Sequence, residues 1–344
     1  MQLGNTSADV ALITHRDAPH LGAYVEALAQ TPEVARVWLC DSTGATQESA
    51  KKVLGAKLAA THASPRELFS ARKPQLALVT MEAALAPPAI HAALDAGCHV
   101  MAEKPACVRL EDFAPLAAKA IERKRHLMLA LANRIDPMMR EALRLVRSGT
   151  IGKIYGCELH LIADQTRLTR PAYHATWTAQ KSRSGGGHLI WLGIHWLDLA
   201  MYLTSSRIRQ VAGFTANVGG QPIDTEDSAS VTMRFENGTL GTITSASYVD
   251  RGYHSFIKLW GSDGWLCVRK HPEDTLEWYS NKSQKTGRYT GPREPSGYTP
   301  FVGNVVRAAL GGEAPVSTGD SLYALKTVFA AYRAAETGRT QEIA

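Results

Sequence analysis

The sequence lacks the signatures of several classes of protein. Its five cysteines form no CxxC pair, and no HExxH or paired Cys/His spacing occurs, so we expect reduced thiols and no metal site. The net charge is +6, yet Lys and Arg are dispersed and no nucleic-acid module is present, so we expect no nucleic-acid partner. The longest apolar run, residues 189–203, is too short and polar to span a membrane. No basic segment followed by apolar residues opens the chain, and we expect a cytoplasmic protein.

Glycine is also absent from the segment that follows the first predicted strand, residues 14–20. Dinucleotide-binding loops use glycines there, because backbone N–H groups must approach the diphosphate at the start of a helix. The segment offers His15, Arg16 and His20 as side-chain donors to phosphate, whereas Asp17, the expected helix cap, places a carboxylate there. Two interpretations stay open: a phosphate site built from His15 and Arg16, or a loop that binds no phosphate.

The first 131 residues alternate between strand and helix patterns. This alternation with short connections predicts an α/β fold, a Rossmann-type doubly wound parallel sheet that binds a dinucleotide. The predicted strands are residues 10–14, 34–40, 58–59, 76–80, 99–102 and 127–131, and the predicted helices are 19–29, 48–54, 65–71, 88–96 and 110–124.

The pattern changes in residues 132–344. Strand-length segments fill the region up to about residue 278, and Asn237-Gly238 and Asp263-Gly264 indicate hairpin turns. A helix over 188–203 interrupts them. We therefore predict an α+β domain with a large, mostly antiparallel, open-faced sheet, whose last helix, 321–336, packs back near the first domain.

The tripeptide Glu103-Lys104-Pro105 directly follows an apolar run that reads as a buried parallel strand. Ligands of open α/β sheets bind beyond the carboxyl ends of such strands, so Lys104 is predicted to direct a fixed positive charge into a cleft. The alternative is a salt bridge from Lys104 to Glu103 or another acid. We also assign Thr80, at the end of the fourth strand, and Glu103 to the cofactor site.

Asp41 ends the second predicted strand, about 24 residues after the glycine-free loop. An acid at this position accepts hydrogen bonds from the adenosine ribose and repels a 2′-phosphate, which favours NAD over NADP. The alternative is an aspartate that caps the turn formed by Ser42 and Thr43.

Six segments of the chain carry a family pattern: residues 96–105, 133–137, 148–154, 185–198, 226–228 and 331–339. In this order they resemble the Gfo/Idh/MocA oxidoreductases, the family of glucose–fructose oxidoreductase and inositol dehydrogenase. The resemblance implies a two-domain enzyme with NAD or NADP on the first domain and a sugar, cyclitol or related polyol as substrate. It further implies Lys104 and a helix histidine, His195, as the catalytic pair, and a homodimer or homotetramer formed through the second sheet.

Histidine suits proton transfer because its ordinary pKa lies close to neutrality. Helical spacing predicts that His188, Trp191, His195 and Asp198 share one face. Members of the family commonly carry an aspartate where this chain has Trp191, so the proton path must differ. His188 is a possible substitute for that aspartate, and Trp191 either faces a sugar ring or only packs. For His195 the alternative is a hydrogen-bonded core histidine.

Four more residues are candidates for the substrate site: Asn133 and Arg134 after the last parallel strand, and His174 and Trp177 before the glycine run. Packing or surface roles are the alternative for each. Two other functions stay open as well, because the loop and Trp191 depart from the family pattern. These are a redox-neutral lyase, epimerase or glycoside-cleaving enzyme that holds NAD tightly, and a non-catalytic protein that has lost dinucleotide binding.

Overall fold

A computed structural model describes residues 7–249, 252–271, 273–291 and 297–344, and the chain forms two compact units. The first unit runs to Ile135, and the segments 183–185 and 295–322 also belong to it. The remaining residues form the second unit. The division inferred from the sequence had a single boundary, between residues 131 and 132.

The first unit is built on six parallel strands in the order β3-β2-β1-β4-β5-β6, which confirms the predicted doubly wound sheet. Its central strands are apolar and buried on both faces, as parallel strands covered by helices must be. The strands are β1 (Ala8–Ile13), β2 (Val34–Cys40), β3 (Leu58–His62), β4 (Leu76–Val79), β5 (His99–Ala102) and β6 (Leu127–Leu129).

Five helices connect these strands. Local sequence explains their ends: Ser64 accepts a hydrogen bond from the Glu67 backbone N–H, and Pro65 follows at the first helical position. The helix over residues 21–30 ends near a cation: the Lys57 ammonium donates to the backbone oxygens of Leu28 and Ala29 at 3.1 and 2.7 Å, and cations are favoured at a helix C-terminus. The helices are α1 (Leu21–Gln30), α2 (Gln47–Leu54), α3 (Pro65–Ala71), α4 (Ala86–Asp95) and α5 (Leu110–Glu122).

The second unit contains a nine-stranded sheet in the order β14-β13-β12-β11-β7-β10-β9-β8-β15. All neighbours pair antiparallel except β7 with β10, so the predicted mostly antiparallel sheet is confirmed. The strands are β7 (Ile154–Asp164), β8 (Ile208–Ala216), β9 (Ser228–Phe235), β10 (Leu240–Val249), β11 (Tyr253–Gly261), β12 (Gly264–His271), β13 (Thr275–Ser280), β14 (Lys285–Arg288) and β15 (Gln341–Glu342).

Both predicted hairpins are present. Asn237-Gly238 lies between β9 and β10, and Asp263-Gly264 lies at the start of β12. Alternation along the strands buries one face and exposes the other: Ile243 of β10 is 1% exposed, whereas Leu240 is 58% exposed.

The buried face of this sheet contacts α6 (Pro137–Arg147), α9 (Ile194–Thr204) and a π-helical turn, Leu189–Gly193, that leads into α9. Asp136 caps α6, since its carboxylate accepts from the Met138 backbone N–H at 2.9 Å. Two short helices, α7 (Pro171–His174) and α8 (Lys181–Ser184), lie in the connection before the π turn.

Two helices close the chain, α10 (Tyr298–Ala309) and α11 (Thr318–Thr337). Sequence analysis missed α10, which packs on α1 in the first unit. The start of α11 also belongs to the first unit, where the hydroxyls of Thr318 and Ser321 accept from the backbone N–H groups of Leu127 and Leu129. These hydrogen bonds give partners to the backbone N–H groups on the outer edge of β6. Within the described residues no helix has the length and apolarity needed to cross a membrane.

Candidate active site

The residues predicted to hold the cofactor follow the parallel strands of the first unit at the carboxyl edge of the sheet. Arg16 lies beyond β1, Asp41 beyond β2, Thr80 beyond β4 and Lys104 beyond β5. Because β1 and β4 are neighbours, the strand order reverses between them, and such a switch point is where open α/β sheets bind ligands.

Lys104 and Glu103 are buried, at 3% and 2% exposure, which is rare for charged residues. The Lys104 ammonium lies 3.8 Å from Glu103 Oε1, and the Tyr24 hydroxyl donates to Glu103 Oε2. The Lys104–Pro105 peptide bond is cis. Burial raises the pKa of the Glu103 carboxyl to about 7, although the Lys104 cation and the Tyr24 hydrogen bond both oppose the rise. The ion pair that we considered as the alternative role of Lys104 therefore exists, inside the sheet edge rather than on the surface.

Tyr24 was not predicted from the sequence, because a tyrosine on the buried face of a helix gives no signal of a polar role. It is fully buried in α1, and its ring meets the Tyr298 ring of α10 edge-on with 5.0 Å between centroids. The His20 ring lies 4.8 Å from the same Tyr298 ring. The rings of His20, Tyr24 and Tyr298 thus form one aromatic group, and Tyr24 is its contact to Glu103.

The glycine-free loop is held by side chains. His15 Nε2 accepts from the Glu82 backbone N–H at 2.9 Å, and the Thr80 hydroxyl donates to the Pro19 carbonyl at 2.5 Å. Arg183 forms a bidentate pair with the Glu82 carboxylate at 2.7 and 2.5 Å. Burial lowers the pKa of His15, so its ring stays neutral and accepts the Glu82 bond. His15 and Thr80, both predicted to contact the cofactor, therefore anchor the loop at the switch point.

The helix after this loop begins at Leu21 rather than at residue 19, and its cap is His20 in the left-handed conformation, φ 59°, rather than Asp17. No side chain caps the first turn of α1, and a Cβ placed on Gly22 meets no atom within 4 Å. The N–H groups of this turn are thus open to an anion, and Arg16 in the preceding loop is exposed. These features fit the diphosphate of a dinucleotide without any glycine in the loop.

Asp41 is 2% exposed and caps its own turn. Its two oxygens accept four hydrogen bonds, from the backbone N–H and the hydroxyl of both Thr43 and Thr46, at 2.7–2.9 Å. Burial alone would raise the pKa of Asp41, but these bonds outweigh it and lower the pKa. The carboxylate stays ionised, yet its acceptor capacity is filled by the turn.

In the second unit, His195 lies in the first turn of α9 and is partly buried. The predicted common face of His188, Trp191, His195 and Asp198 is wrong. The Ile194 N–H bonds to the Leu189 carbonyl five residues earlier, so a π turn adds one residue ahead of His195. One extra residue rotates all that follows by about 100°, and His195 leaves the face of His188.

His188 is 3% exposed, and its Nδ1 bonds to the Ser245 hydroxyl at 2.7 Å. Burial, helped by the Arg167 cation, lowers the pKa of His188 to about 3. The ring is therefore neutral near pH 7, which makes His188 unsuited to the role predicted for it, that of substituting for an aspartate at the position of Trp191. Trp191 is 9% exposed and tilts against Trp177 with 5.2 Å between ring centroids.

Two of the other predicted substrate residues, His174 and Arg134, have defined partners within their own units. His174 Nε2 bonds to the Leu168 carbonyl at 2.6 Å in the second unit. Arg134 pairs with Asp320 at 2.9 Å in the first unit, and Asn133 lies beside it in a 3₁₀ turn.

Two family models match this chain. The model for the oxidoreductase family with an NAD-binding Rossmann fold matches residues 18–131, and that of the GFO/IDH/MocA C-terminal domain matches residues 139–267. The chain belongs to the Gfo/Idh/MocA oxidoreductases. The first match begins inside the glycine-free loop, at Ala18.

Three of the proteins similar to this chain come from bacteria. The chain is 26% identical to an oxidoreductase of Bacillus subtilis (56% of this chain, 55% of that protein) and 24% identical to myo-inositol 2-dehydrogenase of Thermotoga maritima (71% and 72%). It is 26% identical to levoglucosan dehydrogenase of Pseudarthrobacter phenanthrenivorans (60% and 59%). The matches thus span from just over half to about 70% of these relatives.

Solved structures show the same fold along nearly the whole chain. An oxidoreductase domain protein of Kribbella flavida superimposes with a TM-score of 0.87 at 23% identity, covering 98% of this chain and 100% of that one. A levoglucosan dehydrogenase in complex with NADH and levoglucosan superimposes with a TM-score of 0.86 at 19% identity, covering 98% and 99%.

Sequence analysis missed the residues that hold the site residues in place. Glu82 and Arg183 are 101 positions apart, and nothing in the sequence connects them. Glu226 was noticed only as part of a family segment, and its contacts to the glycine run were not predicted. The contacts of Tyr332 were missed in the same way.

Replacing Tyr24 by Phe removes a donor to Glu103 and raises the carboxyl pKa further. An acid with a raised pKa destabilises the fold above that pKa, where the ionised form must be kept buried. We expect the unfolding free energy to fall by about 1.5–3 kcal/mol at pH 8, and by less at pH 5, where Glu103 is protonated. Urea unfolding at both pH values measures the difference.

Tyr323→Phe is the matched control, because that hydroxyl donates to the neutral Ile208 carbonyl at 3.1 Å. Its loss should be equal at pH 5 and pH 8. A pH-independent loss for Tyr24→Phe would contradict an ionised Glu103 as the acceptor.

Proposed function

We propose that this protein is an NAD-dependent dehydrogenase that moves a hydride between nicotinamide and a secondary hydroxyl or keto group of a sugar, cyclitol or related polyol. The observation that carries the proposal is the burial of Lys104 at the carboxyl end of β5, in a chain of the Gfo/Idh/MocA family. Burial of an ammonium is costly unless the charge is paired, and Lys104 is held next to the Glu103 carboxylate at the sheet edge where open α/β folds bind ligands. The dehydrogenase names of two relatives support the substrate class.

Oxidation of an alcohol removes a hydride from carbon and a proton from oxygen. The nicotinamide, when bound, supplies the hydride acceptor. We assign the proton to His195, whose residue type titrates near neutrality, and a hydrogen bond to the reacting oxygen to Lys104. His188 is left out of proton transfer because it stays neutral.

For the cofactor contacts, Arg16 and the open first turn of α1 are proposed to bind the diphosphate. His15 and Thr80 are proposed to act on the cofactor by shaping the loop, and Glu103 by holding Lys104. For the substrate contacts, we keep Asn133, Arg134, His174, Trp177 and Trp191 as proposed residues, with the two tryptophans as an apolar wall for a sugar ring.

NAD is proposed over NADP because Asp41 is ionised and buried where the ribose of a dinucleotide is expected. Repulsion of a 2′-phosphate depends on this charge and does not need a free lone pair. The hydrogen bond to the ribose that we predicted from the sequence would, by contrast, require one of the Thr43 or Thr46 bonds to be displaced.

The activity test uses the pure protein with NAD, and with myo-inositol and levoglucosan as first substrates. We expect NADH formation, and a loss in kcat of about 10²- to 10⁴-fold in His195→Ala and in Lys104→Ala, with NAD binding retained in His195→Ala. His99→Ala is the control, because His99 starts β5 at the opposite edge of the sheet, and its rate should stay close to that of the wild type.

Absence of binding to either dinucleotide would overturn the proposed function. Full activity of His195→Ala would overturn the catalytic assignment. Turnover without net NADH would indicate the redox-neutral chemistry instead.

Cofactor preference is tested by kcat/KM for NAD and for NADP. We expect the wild type to prefer NAD. Asp41→Asn should lower the ratio of kcat/KM for NAD to kcat/KM for NADP about tenfold, since removal of one charge near a phosphate is worth on the order of 1 kcal/mol. Thr46→Val, which removes a hydroxyl from the same turn but keeps the charge, should leave the ratio nearly unchanged. An equal ratio in wild type and Asp41→Asn would contradict the charge argument.

We also propose that the protein is a homodimer or homotetramer formed through the open face of the second sheet. This face exposes Phe214 (78%), Leu240 (58%) and Trp260 (43%), with the Lys258 ammonium 3.8 Å from the Trp260 ring centroid. Apolar exposure of this kind marks association surfaces.

We expect Leu240→Glu combined with Trp260→Glu to give a monomer in size-exclusion chromatography with light scattering, because two buried carboxylates oppose association. Ile121→Glu is the control, since Ile121 is 61% exposed on α5 of the other unit and should not change the assembly. A monomeric wild type, or an unchanged assembly in the double variant, would reject this surface.

A further inference from the structure

The helix that carries His195 begins with backbone N–H groups that a helix cannot satisfy by itself. Here two residues from distant parts of the second unit satisfy them. The Glu226 carboxylate accepts from the N–H groups of Gly187 and Leu189 at 2.6 and 3.0 Å, and the Tyr332 hydroxyl accepts from that of Ile190 at 3.1 Å. We call Glu226 and Tyr332 the helix clamp.

The clamp is continuous, with Tyr332 buried and Glu226 half-buried. Its two members bond to each other, since the Tyr332 hydroxyl donates to Glu226 Oε1 at 2.7 Å. The Glu226 backbone oxygen also accepts from the His188 N–H at 3.0 Å. The clamp thus accepts hydrogen bonds from the backbone N–H groups of four successive residues, 187–190, which precede the first hydrogen bonds within the helix.

The glycine run makes this approach possible. A Cβ on Gly187 would overlap the Glu226 carbonyl, and one on Gly186 would overlap the Tyr332 phenol. These glycines therefore serve the clamp, which gives the Gly-rich landmark of the sequence a structural reason.

Between the clamp and His195 lies the π turn. Gly193 lets this turn pack closely, because a Cβ there would come within 2.8 Å of both Leu189 Cδ1 and Ser245 Oγ of β10. If this turn relaxed to regular α-helix, its backbone hydrogen bonds would span four residues instead of five. His195 would then rotate by about 100° about the helix axis. The direction of His195 thus depends on holding the helix start in place.

We propose that Glu226 and Tyr332 are positioning residues for His195: they clamp the start of its helix, so that the π turn persists and the imidazole keeps its working direction. This inference rests on the proposed function, in which His195 carries the proton. Neither residue needs to touch the substrate.

The test compares Tyr332→Phe and Glu226→Gln with the wild type. Phe keeps the ring but loses the oxygen that bonds to Ile190 and Glu226, and Gln keeps the shape but loses one acceptor. We expect kcat to fall about tenfold or more, as misplaced catalytic groups lose rate steeply, with the KM for NAD unchanged. Circular dichroism and thermal unfolding establish that each variant is folded at the assay temperature.

Asp136→Asn is the matched control. Asp136 is a buried carboxylate that caps α6 in the same unit, so its loss should cost similar stability and leave kcat unchanged. If this control loses kcat in proportion to stability, as the clamp variants do, the clamp has only a structural role.

A double-mutant cycle decides whether the clamp acts through His195. Adding Tyr332→Phe to His195→Ala should not lower the residual rate further, because the group being positioned is already absent. Full additivity of the two losses would overturn the inference. If His195→Ala alone keeps its activity, the proposed function fails instead, and the two failures are thereby distinguished.

Discussion

A carboxylate that accepts a hydrogen bond from a buried tyrosine shapes the candidate site in each unit. Glu103 in the first unit is buried and bonds to the Tyr24 hydroxyl, and Glu226 in the second unit is half-buried and bonds to the Tyr332 hydroxyl. An unsatisfied charge in such places would cost several kcal/mol, so the surrounding elements are constrained to supply donors. In the first unit this constraint holds the neighbour of Lys104, and in the second it holds the start of the helix of His195.

The glycine-free loop after β1 is held in place by side chains. His20 takes the left-handed conformation that a glycine would otherwise adopt, and His15 and Thr80 tie the loop to the neighbouring strand β4 through side chains. The first turn of α1 remains open to an anion. The loop conformation therefore depends on side-chain hydrogen bonds, and the helix start has no side-chain cap.

Much of the fold was predictable because it depends on short-range patterns. Buried apolar strands alternating with helices predict a parallel sheet, and Asn237-Gly238 and Asp263-Gly264 predict hairpins through local backbone preference. The helix 298–309 was missed although Pro300 lies in its first turn.

The role of Asp41 could not be predicted from its position alone. The position predicted a contact to a ribose, but the carboxylate oxygens already accept hydrogen bonds from Thr43 and Thr46. The π turn was missed for a different reason, since regular helical spacing was assumed where Gly193 and Ser245 come close.

The family, the order of the two folds and the candidates Lys104 and His195 follow from the sequence alone, since they depend on residue types in a fixed order along the chain. The carboxylates and hydroxyls that support the segments of these candidates became known only from the packed chain. Tyr24 lies 79 residues from Glu103, and Tyr332 lies 106 residues from Glu226. Periodicity reports neighbours a few residues apart, whereas hydrogen bonds between distant segments exist only once packing has excluded water and left each buried polar group to find its partner.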